Sequence, residues 1–553
     1  MSFRLIAAAM LLPAALPLHS QLMTGSIVGT VQDPSQAGVP DARVTLVQTN
    51  TGRERVARTD ASGVFVFAGL DPAAYQLTVS KEGFKSAVRR DLQIASGERL
   101  SAGVLVLEIG AVTETVSVTA RPAVVQTESA ERSDLITGSQ AENVPTLGRN
   151  VLSLVSLLPG VVDRTGAQSL GTGQDIHVLG GRQRSNNIAV DGAPAIDIDN
   201  GFGYKLNVSQ DAVAEVKMLI SNYQAEYGRM TGSNILIVTK SGSRDFHGLG
   251  SYFKRHEQFN ASNFFDNRVA RAKPRYRYNT WTYNLGGPVY IPGKFNRNKD
   301  KLFFFWQQEF WPIRTAVTGN RTTPTALERR GDFSQTVDLN NARIVIRDPQ
   351  TGQPFAGNAV PASRLNASGV ALLRLFPEPN FLDRNVSRGQ FNYIFTAEQN
   401  RPQRTDTLKL DYSLNPNNSF AWSYNGYKQD LSGNQGVAGI SSNWPQYQAA
   451  YKAPTTSMTA RYTRIFSPAV INEFQFGFMK QHETNEIAEE ELKRNQRDTV
   501  GFVAGQFNAA TNPLKILPQA SFGGVPNAVN LGVDGRFPFD FNLGVFTFDD
   551  KLT

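Results

Sequence analysis

From residue 244 onward, apolar and polar side chains alternate along one short segment after another, and this pattern most limits the possible folds. Trp281, Tyr283 and Leu285 alternate with threonine and asparagine, and residues 407–414 and 420–425 repeat the pattern. A repeat of two places successive side chains on opposite faces of a β-strand. These segments therefore predict strands with one apolar, often aromatic face and one polar face.

The connections between these segments alternate in length. The long ones are 256–277, 313–403 and 428–457, and the shorter ones are 289–300, 415–418 and 467–470. In an antiparallel sheet successive connections lie at opposite ends, so the tight turns would all share one side. Transmembrane barrels have this asymmetry, whereas a soluble sandwich has no reason to sort its loops. We therefore predict that residues 244–553 form part of an antiparallel transmembrane β-barrel, with aromatic side chains toward lipid and polar ones toward a wet interior.

The first twenty residues predict a secretory signal peptide. Arg4 supplies a positive charge, 5–18 is an apolar run without charge, and Ser20 is a small residue before a usable cleavage site. The run is about two-thirds of the ~20 residues that a spanning helix needs, and no later apolar run is as long. A membrane location would therefore depend on strands.

Composition argues against several classes of function. The net charge of +8 comes from interspersed residues without a long Lys/Arg tract, so we expect no nucleic-acid partner. Cysteine is absent, and His256-Glu257 is not followed by a second histidine at helical spacing. Residues 180–184 lack the Gly-Lys-Ser/Thr ending of a phosphate loop. We expect no enzyme, no catalytic residue, no metal and no cofactor.

Residues 24–110 predict a compact β-sandwich, because short strands are separated by Asp, Pro and Gly every 8 to 12 residues. The motifs at 29–33, 59–67, 70–72 and 83–84 resemble the carboxypeptidase regulatory-like domain. Residues 71–75 (DPAAY) depart from that family's usual Pro-Gly before Tyr. The resemblance implies an accessory module without a peptidase.

A linker at 111–122 contains a short alternating segment. This segment resembles the TonB box of TonB-dependent receptors, and its residues are Glu114, Thr115, Val116, Ser117, Val118, Thr119 and Ala120. An extended segment can add as a strand to the edge of a partner's sheet, and its main-chain bonds can transmit a pull. The alternative is a last strand of the sandwich or a plain linker strand.

Residues 123–243 have mixed α/β character. We predict a short helix at 148–158 that Pro159 ends, a second helical segment at 213–218, and a strand at 235–238. The Gly-Gly-Arg at 180–182, the Asp-Gly after an apolar strand and the Thr-Lys-Ser-Gly that closes the region resemble the plug domain of the same receptors. Their shared order strengthens motifs that are individually weak.

Segments of the barrel region resemble the Oar-like family of TonB-dependent outer-membrane receptors. They are NASNFFDN at 260–267, GGPV at 286–289, KLFFF at 301–305, RGDFS at 330–334 and DPQTGQPF at 348–355. The resemblance implies a mainly β protein in which sandwich, plug and barrel follow in that order. Its partner would be a TonB-type energy-transducing protein, and it would take up an unidentified extracellular ligand such as a carbohydrate or peptide. It also implies the outer membrane of a Gram-negative cell, with a periplasmic N-terminal domain.

The number of strands suggests a piece of a longer receptor. We count seven strands between 246 and 480 and one more near 539–548, whereas plugged transporters have about 22. An eight-stranded barrel fills its own interior and has no space for a plug. We therefore expect the chain to be the amino-terminal part of a receptor, truncated within the barrel.

A basic run on the predicted outer side could contact lipopolysaccharide phosphates or another anionic ligand. Its members are Arg268, Arg271, Lys273, Arg275 and Arg277. The alternative for this run is a solvated loop. The alternatives for the whole chain are a surface adhesion protein that binds carbohydrate or protein without active transport, and a soluble secreted β-protein, which the sorted loops disfavour.

Overall fold

The computed structural model gives both the fold and most side-chain contacts. It describes residues 23–111, 115–118, 129–146, 148–164, 175–197, 204–228, 230–433, 449–467, 470–532 and 537–553, with backbone alone at 115–118. The predicted signal peptide lies outside these residues. Within the described ranges, no helix is both long enough and apolar enough to cross a membrane.

The N-terminal region is a sandwich of two β-sheets. Its strands are β1 (Gly25–Gln32), β2 (Arg43–Gln48), β3 (Glu54–Arg58), β4 (Val64–Leu70), β5 (Ala73–Ser80), β6 (Ser86–Ile94), β7 (Arg99–Val106) and β8 (Thr115–Val118). One sheet has the order β4-β1-β7 and the other β3-β2-β5-β6-β8. Alternate residues of β1 point inward, so Ile27 and Val31 join Leu46, Phe65 and Leu77 in a closed core. This alternation explains why the region folds as a sandwich.

The next region is a mixed sheet with two short helices. Its elements are β9 (Arg132–Thr137), α1 (Gly138–Asn143), α2 (Val151–Val155), β10 (Val161–Asp163), β11 (Ile176–Val178), β12 (Asn187–Val190), β13 (Ala193–Pro194), β14 (Val213–Ser221) and β15 (Asn234–Thr239). The main sheet has the order β13-β12-β15-β14-β9, and α2 packs against it through Leu152 and Val155. We call this region the plug.

One element of the plug differs from the prediction. Residues 213–218, expected to be helical, belong to strand β14. This strand pairs with β15 on one edge and β9 on the other, and both of its faces are buried. A strand buried on both faces loses the polar–apolar alternation that would reveal it. The predicted strand at 235–238 and the helix stopped before Pro159 are confirmed as β15 and α2.

The C-terminal half is one large antiparallel sheet with helices in its connections. The strands are β16 (His247–Arg255), β17 (Tyr276–Pro288), β18 (Leu302–Arg321), β19 (Tyr393–Asn415), β20 (Asn418–Gly433), β21 (Ala449–Lys452), β22 (Thr455–Ser467), β23 (Val470–Ile487) and β24 (Phe539–Leu552). The helices are α3 (Phe264–Arg268), α4 (Ala367–Leu373), α5 (Arg384–Ser387), α6 (Glu489–Arg494) and α7 (Arg497–Val500). Each long strand pairs with the next, and β21 bridges β20 and β23 beyond the end of β22.

The connections of this sheet are sorted as the sequence predicts. The turn between β19 and β20 is residues 416–417, and 468–469 separates β22 from β23. The longest connection is 322–392, shorter than the predicted 313–403 because β18 and β19 extend further into it. Among the described strands, β16 and β24 form the two edges and do not pair with each other. The mainly β fold class is confirmed, as an open sheet rather than a closed barrel.

The two faces of the sheet have inverted polarity compared with a soluble protein. Trp281, Phe474 and Phe546 on the outer face are 40%, 41% and 57% exposed, whereas Gln475 and Thr547 on the inner face are 2% and 1% exposed. Exposing aromatic rows while burying amides and hydroxyls is unfavourable in water. It is the arrangement that a strand needs when its outer neighbour is lipid. The prediction that aromatic side chains face outward and polar ones inward is therefore confirmed.

Candidate functional site

The plug lies against the polar face of the large sheet, and buried ion pairs join the two. Arg149 precedes α2 with a positive φ of 50°. Its Nε donates to Glu309 of β18 at 2.7 Å, and its Nη2 donates to Asp211 of the plug at 2.6 Å. The side chains of Arg149, Asp211 and Glu309 are 11%, 5% and 0% exposed. One guanidinium therefore holds a carboxylate from each body, and it also lies 4.1 Å over the ring of Phe253.

A second ion-paired contact lies further along the sheet. Lys205 of the plug donates to Glu483 of β23 at 2.7 Å, and Asp197 lies 3.5 Å from the same ammonium. All three side chains are largely buried. This contact again consists of charges from both bodies.

A third contact joins β19 and β20 of the large sheet to Asp191, the plug residue that directly follows β12. Lys409 Nζ lies 3.5 Å from Asp191 Oδ1 and donates to the Thr239 carbonyl at 3.0 Å, while Asn425 donates to Asp191 at 3.2 Å. Burial alone would raise the pKa of Asp191. Lys409 and the hydrogen bonds from Thr239 and Asn425 outweigh burial, so the pKa of Asp191 lies below its usual value.

The physical consequence is an interface that tolerates separation in water. Buried charges recover hydration when they part, so an ion-paired interface loses less free energy on wetting than an apolar one of equal area. The sheet adds few residues to the buried apolar core of the plug, chiefly Phe305 and Tyr427. Among the described residues no group of His, Cys, Asp and Glu is arranged to hold a metal ion. The arrangement suits holding and releasing a plug rather than bond-breaking chemistry.

The sandwich is attached to both the plug and the sheet. Ser96 donates from its backbone N and its Oγ to Glu215 of β14 at 2.7 and 2.5 Å, and Lys217 donates to the Ser96 carbonyl at 2.8 Å. Asp71 pairs with Arg461 of β22. Burial alone would raise the pKa of Asp71, but the neighbouring cations, Arg461 first, hold it below its usual value. These contacts place the sandwich across the end of the sheet that has the tight turns.

The segment that resembles a TonB box lies partly within the described chain. Its central residues form β8, which runs parallel to β6 with Thr115 opposite Ser86 and Val118 opposite Arg89. Glu114, Thr119 and Ala120 lie outside the described residues. The described part of the segment is therefore extended and forms the last strand of the five-stranded sandwich sheet, as the alternative interpretation describes. Binding of this segment to a TonB-type protein stays a prediction.

The five residues of the predicted basic run have partners within the chain. Arg271 is held by Asp266 and Asn320 at 2.6 Å each, and Arg275 and Arg277 pair with Glu398 and Glu257. Lys273 donates to the Asn260 carbonyl at 2.8 Å, and Arg268 donates to the Val386 carbonyl. These contacts order the loop after β16. Contact with an anionic ligand or lipopolysaccharide stays a prediction.

The importance of Arg149 was not apparent in the sequence. It appeared there as one residue at the start of a helix, and its acidic partners lie 62 and 160 positions away. The interspersed charges of the polar strand face were the available signal. They indicated a wet interior but not which charge meets which.

A sheet with lipid-facing aromatic rows and a plug on its polar face defines an outer-membrane β-barrel type of protein. The family model for the outer membrane beta barrel domain matches residues 238–553, and the chain belongs to this family. Residues 26–108 match the carboxypeptidase regulatory-like domain. The predicted outer-membrane location is thereby confirmed.

The chain is also similar to individual proteins. Over 235 residues the chain is 29% identical to the TonB-dependent transporter Oar of Myxococcus xanthus. This match covers 41% of this chain and 21% of that protein. Among solved structures, the chain is similar to the outer membrane transporter YddB from Escherichia coli (11% identity, TM-score 0.40, 64% of this chain and 39% of that one). Another is the siderophore receptor PirA from Acinetobacter baumannii (12% identity, TM-score 0.37, 76% and 44%).

The chain spans about a fifth of the length of the curated relative and less than half of these two solved chains. The predicted resemblance to the Oar-like family is confirmed. These relatives are transporters and receptors rather than enzymes.

Proposed function

We propose that this chain acts as a TonB-dependent outer-membrane receptor that takes up an unidentified ligand. One observation supports this most strongly: a plug held by buried ion pairs against the polar face of a lipid-facing sheet. The proposal includes a periplasmic sandwich at 24–110, a linker at 111–122, a plug at 123–243 and barrel strands from 244. A TonB-type protein is the proposed partner, and the ligand binds among the long loops.

The proposed mechanism uses the backbone of residues 114–120. A partner sheet adds to this segment as a further strand, and a pull along the chain reaches the plug, which follows it directly in sequence. Tension then separates ion pairs such as Arg149–Glu309, whose charges are hydrated as they part. A polar path opens between the plug and the sheet.

The absence of cysteine makes the partner test direct, because any introduced cysteine is unique. We expect Val116→Cys, in the full chain in outer-membrane vesicles, to form a disulfide with a single cysteine placed in the edge strand of a TonB C-terminal domain. The matched control is Val104→Cys, on an exposed position of the sandwich (51% exposed), which should not form this disulfide. Equal capture at both positions would contradict a specific strand pairing.

A second variant tests the backbone character of this contact. Val116→Pro removes an N–H donor and should abolish pairing, whereas Val116→Thr keeps strand propensity and should preserve it. If deletion of 114–120 leaves uptake and every cell phenotype unchanged, this result contradicts the proposal that the protein transports its ligand with energy from TonB. The remaining function would be that of a surface adhesion protein.

A further inference from the structure

The two residues that precede β1 lie where the sandwich, the plug and the large sheet meet. Met23 is 4% exposed and belongs to a small apolar cluster with Leu236 and Val238 of the plug, separate from the main plug core. The next residue, Thr24, donates from its Oγ1 to Glu473 of β23 at 2.8 Å. Two consecutive side chains at the start of the sandwich therefore contact two different bodies.

This small apolar cluster covers one face of the plug sheet. In strand β15, Leu236 and Val238 belong to it, whereas Ile235 and Ile237 belong to the main plug core. A sheet that is apolar on both faces needs a cover on each. Helix α2 and the large sheet, through Phe305, lie on the side of the main core, and the start of the sandwich lies on the other side.

A second part of the sandwich fits closely against the same side of the plug. Ser96 binds Glu215 of β14, and the phenol oxygen of Tyr227 lies against Gly97, where a Cβ atom would overlap it. Gly97 also has a φ of 62°, which favours glycine. This close approach indicates a fitted surface between sandwich and plug rather than two domains joined by a linker alone.

We propose that the sandwich is a lock that keeps the plug against the large sheet in the resting protein. Met23 holds the plug, Thr24 holds the sheet, and the plug separates from the sheet only after both residues withdraw. This inference rests on the proposed receptor function and adds a step that precedes the parting of plug and sheet. A strand that adds to β8 would pull on the sandwich through β6, so the lock lies within reach of the proposed partner.

Two cysteine reporters on one hairpin of the plug test the lock. Ala189 of β12 is 2% exposed and belongs to the cluster of Met23. Ala193 is 0% exposed and lies on β13, which contacts β22 and β23 of the large sheet. Since the chain has no cysteine, Ala189→Cys and Ala193→Cys each supply a single thiol. The rate of maleimide labelling of the full chain in detergent then reports on each side of the plug separately.

Removing the Met23 side chain should open the sandwich side first. We expect Met23→Ala to accelerate labelling of Ala189→Cys at least tenfold, whereas Met23→Leu, which keeps the side-chain volume, should change this rate less than twofold. Without urea, Ala193→Cys should stay unreactive in every variant, which shows that the plug remains folded against the sheet. With increasing urea, Ala193→Cys should become reactive at a lower concentration in Met23→Ala than in the parent.

A covalent link should have the opposite effect. In a chain without the reporters, Thr24→Cys and Glu473→Cys are joined by a short bifunctional thiol reagent, because their side chains meet in the structure. The link should raise the urea concentration at which the backbone amides of β13 exchange with deuterium. The same double variant before addition of the reagent is the matched control.

Three results would overturn the proposal. In the first, Met23→Ala leaves the labelling rate of Ala189→Cys within twofold of the parent. In the second, Ala189→Cys becomes reactive but Ala193→Cys needs as much urea as in the parent, so the sandwich is a passive cover. In the third, the covalent link leaves exchange in β13 unchanged. These assays require neither TonB nor a ligand, so their failure is distinguishable from a failure of the proposed receptor function.

Discussion

Replacing Arg149 by methionine should loosen the plug from the sheet. Methionine keeps the length and apolar stem of the side chain but removes the positive charge that pairs with both Asp211 and Glu309. Both carboxylates are nearly inaccessible, at 5% and 0% exposure. Removing one partner of a buried ion pair costs about 3–5 kcal/mol, because the remaining charge is left without compensation.

The structure puts this variant at the upper part of that range. Two carboxylates lose their common partner, and the cation–π contact with Phe253, worth about 0.5–2 kcal/mol, is also lost. We therefore expect the free energy of unfolding to fall by about 4–5 kcal/mol. Urea unfolding in detergent, followed by tryptophan fluorescence, measures this change.

Two further variants separate charge from packing. Arg164→Met is the matched control, since its side chain is 69% exposed and its pairing with Asp175 at 3.9 Å should contribute less than about 1 kcal/mol. Adding Glu309→Gln and Asp211→Asn to Arg149→Met removes the stranded charges and should restore most of the loss. A single variant within about 1 kcal/mol of the parent, or a triple variant no better than the single one, would refute the ion-pair explanation.

Three other outcomes follow from the structure. Asp71→Asn leaves Arg461 without its carboxylate and should detach the sandwich from the sheet, seen as faster trypsin release of residues 23–111 with the large sheet still intact. Hydrogen bonds, first from Arg364 and then from the Gln350 backbone, lower the pKa of Asp348 to about 2. Their contribution to stability is present above about pH 4 and disappears towards pH 2, so the ratio of pepsin cleavage rates in 322–392 between Asp348→Asn and the parent should approach one as the pH falls. Phe546→Arg puts a charge on the lipid-facing surface and should cost about 2–4 kcal/mol if the site lies near the bilayer midplane, measured as loss of the folded band in unheated gel electrophoresis; unchanged assembly would contradict lipid exposure.

The large sheet was predictable because its signals are local. A repeat of two sets the strands, and tight turns such as 416–417 fall at Asn- and Pro-containing positions that end them. The exposure of Phe474 and the burial of Gln475 then follow from position within the repeat. Residue type and spacing along a few neighbours contain all of this information.

The plug and its contacts were less predictable because they depend on distant residues. Residues 213–218 mix alanine, glutamate, lysine and methionine, which favour a helix locally, yet pairing with β15 and β9 makes them a strand. The charges within that strand are tolerated because Ser96 binds Glu215 and Glu131 lies 2.8 Å from Lys217. No local pattern specifies such partners.

The position of β8 at the margin of the sandwich sheet has a mechanical consequence. One side of this strand is occupied by β6, while in the described sheet its other side has no neighbour. A foreign strand that adds there would merge two sheets into one, and load applied to it would pass into the sandwich through β6 as well as along the chain to the plug. The Ser96–Glu215 contact would then transmit part of that load to the plug, and the Asp71–Arg461 ion pair would transmit part of it to the large sheet.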